Sequence, residues 1–296
     1  MEEPFAFVLN VVARTADELA GPLRAIAASH GVAGDIDWLL EDEAFDIAFA
    51  GEPKAVLADA RAAAEGHHAD INVLAQGNRR KRLLIADMDS TVITVECLDE
   101  IADMLGLKAQ IAAITERAMR GEIAFEPALR ERVAMLKGLR LDALEEVMRE
   151  RIRLTAGART LVMTMRHHGA RTLLVSGGFT FFTQRVALAA GFDAQRANRL
   201  LDDGERLTGL VGEPILGRQA KLETLESEAA RLGLKENDAL AVGDGANDLA
   251  MIERAGLGVA FHAKPVVAEA AAARLDYADL RGLLFLQGYR ATEFVT

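Results

Sequence analysis

Two acidic side chains lie two residues apart in the segment Asp87-Met88-Asp89, directly after the apolar run at residues 83–86. A short apolar run bounded by polar residues predicts a buried strand, and open α/β sheets carry out their chemistry at the carboxyl ends of strands. At such a position Asp87 could act as a nucleophile and Asp89 as a proton donor. Two carboxylates this close together need a cation to offset their repulsion. The segment therefore predicts a catalytic site that holds a cation.

Further polar groups occur behind later apolar runs. Ser176-Gly177-Gly178 follows the apolar residues 173–175, and its glycines leave backbone N–H groups free to approach a phosphate. Lys221 enters a predicted helix, and Gly243-Asp244-Gly245-Ala246-Asn247-Asp248 follows the apolar residues 240–242. Each group alone is common in loops that have no site. Their occurrence as one ordered set with Asp87 and Asp89 predicts a single site for a phosphate and a cation.

The elements that must position these groups are strands alternating with helices. Predicted strands occupy residues 83–86, 172–175, 239–242 and 258–261. This alternation predicts an α/β fold with a doubly wound parallel sheet. Four amphipathic segments between about residues 95 and 154 predict a helical cap above the end of the first of these strands. Within residues 196–212, Asp202-Asp203-Gly204 predicts the turn of a hairpin.

Residues 1–78 predict a small separate domain, and residues 79–296 the domain that carries the chemistry and the cap. The first part reads as strand 5–12, helix 17–29, strands 35–40 and 45–50, a helix opened by Pro53, and strand 70–74. The order β-α-β-β-α-β is that of a ferredoxin-like unit. It resembles an ACT-like regulatory domain, although the turn at residues 13–17 has no glycine, which ACT ligand sites usually need.

Composition limits the classes of partner. The net charge of −11 disfavours a nucleic-acid partner, and the basic run Arg79-Arg80-Lys81-Arg82 reads as a solvated linker. A single cysteine, Cys97, excludes a disulfide within the chain and fits a reducing cytoplasm. No apolar stretch reaches the roughly 20 residues of a membrane span, and the acidic start Met-Glu-Glu-Pro is unlike a signal peptide. A soluble cytoplasmic protein is expected.

The ordered set resembles the haloacid dehalogenase superfamily, whose DxDxT, Ser-Gly-Gly, lysine and GDGxND motifs are all intact. Glu96, nine residues after Asp87, and three cap residues add a closer similarity to the phosphoserine phosphatase family; the cap residues are Met119, Phe125 and Arg132. The segments at residues 175–179, 197–200 and 260–265 match that family too. The resemblance covers about residues 83 to 290 and implies a Rossmann-like core of the haloacid dehalogenase type.

The resemblance also implies roles in catalysis. Asp87 would attack phosphorus to form an aspartyl-phosphate, and Asp89 would protonate the leaving oxygen. Mg²⁺ would be held by Asp87, Asp244 and the backbone carbonyl of Asp89, with Asp248 supporting the metal-bound waters. The phosphoryl oxygens would be held by Ser176, Gly177, Lys221 and Asn247.

For the substrate, the resemblance implies O-phospho-L-serine, hydrolysed in the last step of serine biosynthesis. Glu96 would bind the substrate ammonium and Arg132 its carboxylate, with Met119 and Phe125 forming walls of the pocket. Two other functions stay open from the residues alone. One is a phosphotransferase or a phosphatase for another small phosphomonoester, and the other is an amino-acid-binding regulator with a silent core. Residues 1–78 are expected to offer surfaces for a homodimer.

Overall fold

The computed structural model of the chain describes residues 5–119 and 122–296, with only the backbone of Met119 described. The acidic start at residues 1–4 lies outside the described residues. The first sheet and its two helices are β1 Phe7–Val12, α1 Ala16–Ser29, β2 Gly31–Leu40, β3 Ala44–Gly51, α2 Pro53–Ala63 and β4 Asp70–Ala75. The strands pair antiparallel in the order β2-β3-β1-β4. The predicted ferredoxin-like arrangement is confirmed.

The second sheet follows along the chain. The remaining strands are β5 Leu83–Ala86, β6 Arg171–Phe179, β7 Ala194–Asn198, β8 Leu200–Asp202, β9 Leu207–Val211, β10 Ala239–Gly243, β11 Leu257–Phe261 and β12 Ala273–Leu275. Six of them form a parallel sheet in the order β12-β11-β10-β5-β6-β7. β5 is central, and its side chains alternate between two cores, with Leu84 in one and Leu83 in the other. Burial on both faces explains its continuous apolar sequence.

Helices cover both faces of this sheet and form the cap. They are α3 Cys97–Met104, α4 Lys108–Met119, α5 Phe125–Ala134, α6 Leu141–Glu150, α7 Ala158–His167, α8 Thr180–Ala190, α9 Arg218–Arg231, α10 Leu249–Arg254, α11 Pro265–Ala270 and α12 Gly282–Leu286. The four helices α3 to α6 match the four amphipathic segments predicted for the cap. β8 and β9 form the predicted hairpin. Among the described residues, no helix has both the length and the apolar character to cross a membrane.

One face of the first sheet packs against the end of the chain. Asn10, Asp46 and Asn72 pair across β1, β3 and β4, so they form a polar row on that face, and all three are buried. Asn72 donates to the carbonyl of Arg274 (2.9 Å) and accepts its N–H (2.9 Å), so a side chain bridges β4 to β12. Asn10 donates to Asp46 (2.7 Å) and to the carbonyl of Phe285 (3.1 Å). The two sheets are joined by buried hydrogen bonds.

The basic run at residues 79–82 is part of this junction. Arg79 Nη1 lies 2.5 Å from Asp46 Oδ2 in a buried ion pair, and Arg79 also donates to the carbonyls of Phe285 and Leu286. The buried Lys81 donates to the carbonyls of Asn78 and Asn237. The interpretation of this run as a solvated linker is therefore wrong for Arg79 and Lys81. Arg79 and Lys81 point inward, whereas Arg80 and Arg82 are exposed.

Removing Asp46 should destabilise the protein without changing its chemistry. The Asp46→Ala variant leaves Arg79 buried and unpaired, so we expect a loss of about 3–5 kcal/mol in the free energy of unfolding. Asp37→Ala is the matched control, because Asp37 pairs with Arg290 across the same junction with side chains 54% and 48% exposed, against 8% and 11% for Asp46 and Arg79. Asp37→Ala should lower the free energy of unfolding by less than about 1 kcal/mol. Urea denaturation measures both, and equal losses would contradict the prediction.

Candidate active site

Asp87 lies at the carboxyl end of β5 and is buried. Its backbone N–H donates to the carbonyl of Val242 (3.0 Å), which fixes the end of β5 beside β10. Its Oδ1 lies 2.6 Å from Nζ of Lys221. Burial raises the pKa of Asp87 well above its usual range, the charge of Asp248 raises it further, and Lys221 opposes both effects. The carboxylate is thus desolvated, and Lys221 is its nearest source of positive charge.

Lys221 lies in the first turn of α9 and joins two carboxylates. Its Nζ is 2.6 Å from Asp87 Oδ1 and 2.5 Å from Asp248 Oδ1. Burial alone would lower the pKa of Lys221, but the charges of Asp248 and Asp87 outweigh it and raise the pKa. Asp248 is fully buried beneath the loop after β10, where a β-carbon on Gly243 would lie 2.4 Å from its carboxyl. Glycine at 243 is therefore required by the close approach of Asp248.

Asp89 is held by the cap and by the Ser-Gly-Gly segment at once. Its Oδ1 accepts the backbone N–H of Cys97 (2.9 Å), the first residue of α3, and its Oδ2 accepts the hydroxyl of Ser176 (3.1 Å). The hydroxyl oxygen of Ser176 accepts the N–H of Gly178 (2.8 Å). Burial raises the pKa of Asp89, and the hydrogen bonds from Cys97 and Ser176 oppose that rise. A carboxyl group with a raised pKa suits proton transfer.

Three carboxylates form a group that could hold a metal ion. One oxygen from each of Asp87, Asp244 and Asp248 lies within 4.8 Å of the others. Burial raises the pKa of Asp244, and the charge of Asp248 adds to this effect. A set of carboxylate oxygens is the donor chemistry that Mg²⁺ prefers, so the residues fit a hard divalent cation. The metal-binding roles predicted for Asp87, Asp244 and the Asp89 carbonyl, and the supporting role predicted for Asp248, stay predictions.

Glu96 immediately precedes α3, and its carboxylate accepts the hydroxyl of Ser90 (2.7 Å). Its side chain reaches solvent, yet enough protein surrounds the carboxyl that burial raises the pKa of Glu96 to about 7, with a smaller effect from the charge of Asp89. Ser90 has φ of 56°, a left-handed conformation that is uncommon for serine. Sequence reasoning missed Ser90, whose place inside the DxDxT segment was the available signal.

Arg132 lies on α5 with its side chain half-buried. It donates to the carbonyl of Ala128 (3.2 Å) and to the hydroxyl of Thr115 (3.4 Å). Burial lowers the pKa of Arg132, while the charges of Asp99 and Glu96 oppose that change. Arg132 is therefore a partly buried cation whose guanidinium hydrogen-bonds within the cap.

Phe125, the first residue of α5, lies against two glycines of the core. A β-carbon on Gly217 would lie 3.3 Å from its ring, and one on Gly177 would lie 3.6 Å from it. The cap thus contacts the Ser-Gly-Gly segment directly. The side chain of Met119 lies outside the described residues. Asn247 is exposed in the loop after β10, and its phosphate-binding role stays a prediction.

The sequence profile of the haloacid dehalogenase-like hydrolases matches residues 84–253. The chain belongs to the haloacid dehalogenase-like hydrolase family. A phosphoserine phosphatase of Polaromonas sp. is 48% identical over 210 residues, which are 69% of this chain and 89% of the relative. A phosphoserine phosphatase of Archaeoglobus fulgidus is 44% identical over 206 residues, which are 70% of this chain and 60% of the relative.

Solved structures of this hydrolase family agree with the fold. A family hydrolase from Salmonella enterica serovar Typhi superimposes with a TM-score of 0.85 at 31% identity, covering 96% of this chain and 98% of that one. A phospho-aspartyl intermediate analogue of a phosphoserine phosphatase superimposes with a TM-score of 0.64 at 39% identity, covering 69% of this chain and 98% of the other. The first similarity extends over the amino-terminal sheet as well as the hydrolase core.

Asn198 is a second residue of this hydrolase that sequence reasoning did not single out. It ends β7, is 1% exposed, and donates to the carbonyl of Gly177 (2.8 Å). The sequence segment 197–200 was noted for its family similarity alone. A polar residue that ends a strand beside the glycine segment was the signal that could have identified it.

Proposed function

We propose that this hydrolase removes the phosphoryl group of O-phospho-L-serine with the help of Mg²⁺, in the last step of serine biosynthesis. The observation that carries the proposal is the placement of Glu96 and Arg132. Glu96 accepts the hydroxyl of Ser90, next to Asp89, and Arg132 lies on α5, whose first residue Phe125 lies beside Gly177. An anion beside the acidic centre and a partly buried cation in the cap match the ammonium and the carboxylate of an amino acid. The relatives named above support the same substrate.

The reaction begins at Asp87. The ionised oxygen of Asp87, which Lys221 stabilises against the effect of burial, attacks phosphorus and forms an aspartyl-phosphate while the bond to the serine oxygen breaks. Asp89 gives its proton to that oxygen, and the resulting carboxylate then takes a proton from the water that hydrolyses the intermediate. Asp87 and Asp244 would hold Mg²⁺, which would supply the positive charge that offsets the repulsion between the nucleophile and the phosphate.

Side chains and backbone groups of β6 and α9 would stabilise the negative charge on the transferring phosphoryl group. The hydroxyl of Ser176, the backbone of Gly177 and the ammonium of Lys221 stabilise the equatorial oxygens, where charge accumulates in the transition state. Asn247 adds a donor from the loop after β10. Because Lys221 is buried and charged, it acts in a region from which water is largely excluded, where its effect is strongest.

Substrate discrimination should depend on Arg132. In Arg132→Ala, the substrate carboxylate is left desolvated and unpaired, so the transition state should lose about 2–5 kcal/mol of stabilisation. The value of kcat/KM for phosphoserine should then fall roughly 30-fold or more. Phosphoethanolamine has the ammonium and lacks the carboxylate, so its kcat/KM should change little. Steady-state phosphate release with both substrates measures the effect.

The matched variant is Arg149→Ala, which removes an exposed cap arginine whose partner is Glu150. It should leave both substrates unaffected. If Arg132→Ala weakened phosphoserine and phosphoethanolamine equally, Arg132 would act on the phosphate or on cap stability, and the phosphoserine assignment would lose its main support.

We also propose a cytoplasmic location and a homodimer formed through residues 1–78. One face of the first sheet is covered by α12, and carbonyls of β2 accept hydrogen bonds from Arg24 and Arg290. The outer surface of α1 and α2 is then the part of this domain best suited to a second copy. Light scattering on the purified chain measures the mass, and a monomer at micromolar concentration would contradict the dimer.

A further inference from the structure

The cap is attached to the core by more than its two linkers. Hairpin β8–β9 makes main-chain hydrogen bonds to the cap segment between α5 and α6: Gly138 N–H to Leu207 O (2.8 Å), Leu207 N–H to Leu139 O (2.8 Å) and Leu141 N–H to Glu205 O (2.9 Å). Leu207 of the hairpin also lies in the same apolar core as Leu136 of the cap. The hairpin and the cap therefore form one packed unit.

The base of this hairpin lies at the phosphate site. Asn198 ends β7 one residue before the hairpin begins, and it donates to the carbonyls of Gly177 (2.8 Å) and Leu216 (3.1 Å), while its Oδ1 accepts the N–H of Leu216 (2.7 Å). Gly177 belongs to the Ser-Gly-Gly segment, and Leu216 lies two residues before α9, which carries Lys221. One buried amide thus joins the two segments that supply the proposed phosphate ligands.

Strand pairing explains why a side chain is needed here. β6 and β7 pair at Val175 with Arg196 and then at Phe179 with Asn198, so two extra residues of β6 bulge out of the ladder. A bulge leaves backbone groups without ladder partners, and buried carbonyls need a donor. Asn198 supplies that donor to Gly177. Its two N–H donors and its carbonyl are all used, so aspartate or alanine cannot replace it.

We propose that Asn198 is a positioning residue for the phosphate site. We also propose that hairpin β8–β9 couples the position of the cap to the geometry of that site. Asn198 sets the distance between the Ser-Gly-Gly segment and the start of α9. Phe125 of the cap lies beside two glycines of these segments, since a β-carbon on Gly177 would fall 3.6 Å from its ring and one on Gly217 3.3 Å. Cap position and phosphate-site geometry then change together. This inference deepens the proposed function and rests on it.

The first test compares two buried asparagines. Asn198→Ala and Asn72→Ala each remove side-chain bonds to a backbone N–H and carbonyl, but Asn72 lies at the junction of the two sheets. The binding of inorganic phosphate to the full chain with Mg²⁺ is measured by calorimetry below the unfolding temperature of both variants. We expect Asn198→Ala to weaken phosphate binding at least tenfold and Asn72→Ala to leave it within twofold. Unchanged binding in Asn198→Ala would overturn the proposal.

The second test separates the hairpin from the local contacts of Asn198. Gly209 and Gly204 both lie in the hairpin with φ of 78° and 96°, so alanine strains the backbone at either position. A β-carbon on Gly209 would lie 2.9 Å from that of Lys137 in the cap, whereas one on Gly204 meets open space. Gly209→Ala should weaken phosphate binding and Gly204→Ala should not. In combination with Asn198→Ala, Gly209→Ala should add no further loss, and additive losses would overturn the transmission.

Inorganic phosphate is chosen as the probe because it lacks the serine moiety. If the phosphoserine assignment failed, phosphoserine would not be turned over, but the comparison of phosphate affinities among these variants would stand. If the role of Asn198 failed, phosphoserine turnover by the unmodified chain would be unaffected. The two failures give different results.

Discussion

Asp87→Asn is expected to abolish phosphate release and the formation of an acid-stable phosphoprotein. An amide oxygen is a poor nucleophile, and loss of a catalytic nucleophile can cost on the order of 10⁶-fold in kcat. The variant should fold at least as well as the unmodified chain. Burial and the charge of Asp248 both raise the pKa of Asp87, so removing its charge relieves repulsion in the buried group. Acid-quenched mass spectrometry after mixing with phosphoserine measures the phosphoprotein, and circular dichroism checks the fold.

Asp89→Asn is the matched variant for this experiment. It removes the proton donor but keeps the nucleophile, so phosphoserine turnover should fall by about 10²–10⁴-fold. p-Nitrophenyl phosphate has a leaving group that needs little protonation, so formation of the phosphoprotein from it should be slowed much less than from phosphoserine, whereas hydrolysis of the phosphoprotein, in which Asp89 acts as base, should be slowed with both substrates. Activity of Asp87→Asn within tenfold of the unmodified chain would show that Asp87 is not the nucleophile.

Removal of divalent metal is expected to eliminate activity. Without a cation, the carboxylates of Asp87, Asp244 and Asp248 repel the phosphate dianion, and only Lys221 lies close enough to Asp87 to offset that charge among the contacts described. Added Mg²⁺ should restore activity, and Ca²⁺ should restore it poorly because it prefers more ligands and longer bonds. Phosphate release is measured after EDTA treatment and after dialysis into each metal. Full activity in the metal-free protein would contradict the proposed mechanism.

Sequence alone predicted the parts of the fold that are buried on both sides. β5 was predicted at its observed bounds, because a central parallel strand reads as a continuous apolar run. β7 and β12 were not predicted, since β7 is the polar edge strand Ala194-Gln195-Arg196-Ala197-Asn198 and β12 has only three residues. Edge strands lack the apolar pattern on which such predictions depend. The domain boundary at residue 78 stays a prediction.

The residues of the candidate site also differ in how readily the sequence reveals them. Asp87, Ser176 and Asp248 lie in polar segments that directly follow apolar runs, and Lys221 was given its role through the family resemblance. The contacts of Asn198 with Gly177 and of Ser90 with Glu96 depend on the folded backbone. The basic run at residues 79–82 was misread for a related reason. Its buried partner Asp46 lies 33 residues earlier in the chain, so no local pattern reveals it.

The junction between the first sheet and α12 has a consequence for the order of events on the ribosome. Phe285 completes a small apolar cluster with Val12, Leu39 and Ala44, and 275 residues separate Asn10 from the Phe285 carbonyl that it binds. At roughly 5–20 residues per second, about 14–55 s pass between the synthesis of these two residues. The residues of the sheet are therefore synthesised long before the segment that covers them. Until then the polar side chains of Asn10, Asp46 and Asn72, which are buried in the folded chain, can hydrogen-bond to water, which lowers the cost of leaving this face uncovered.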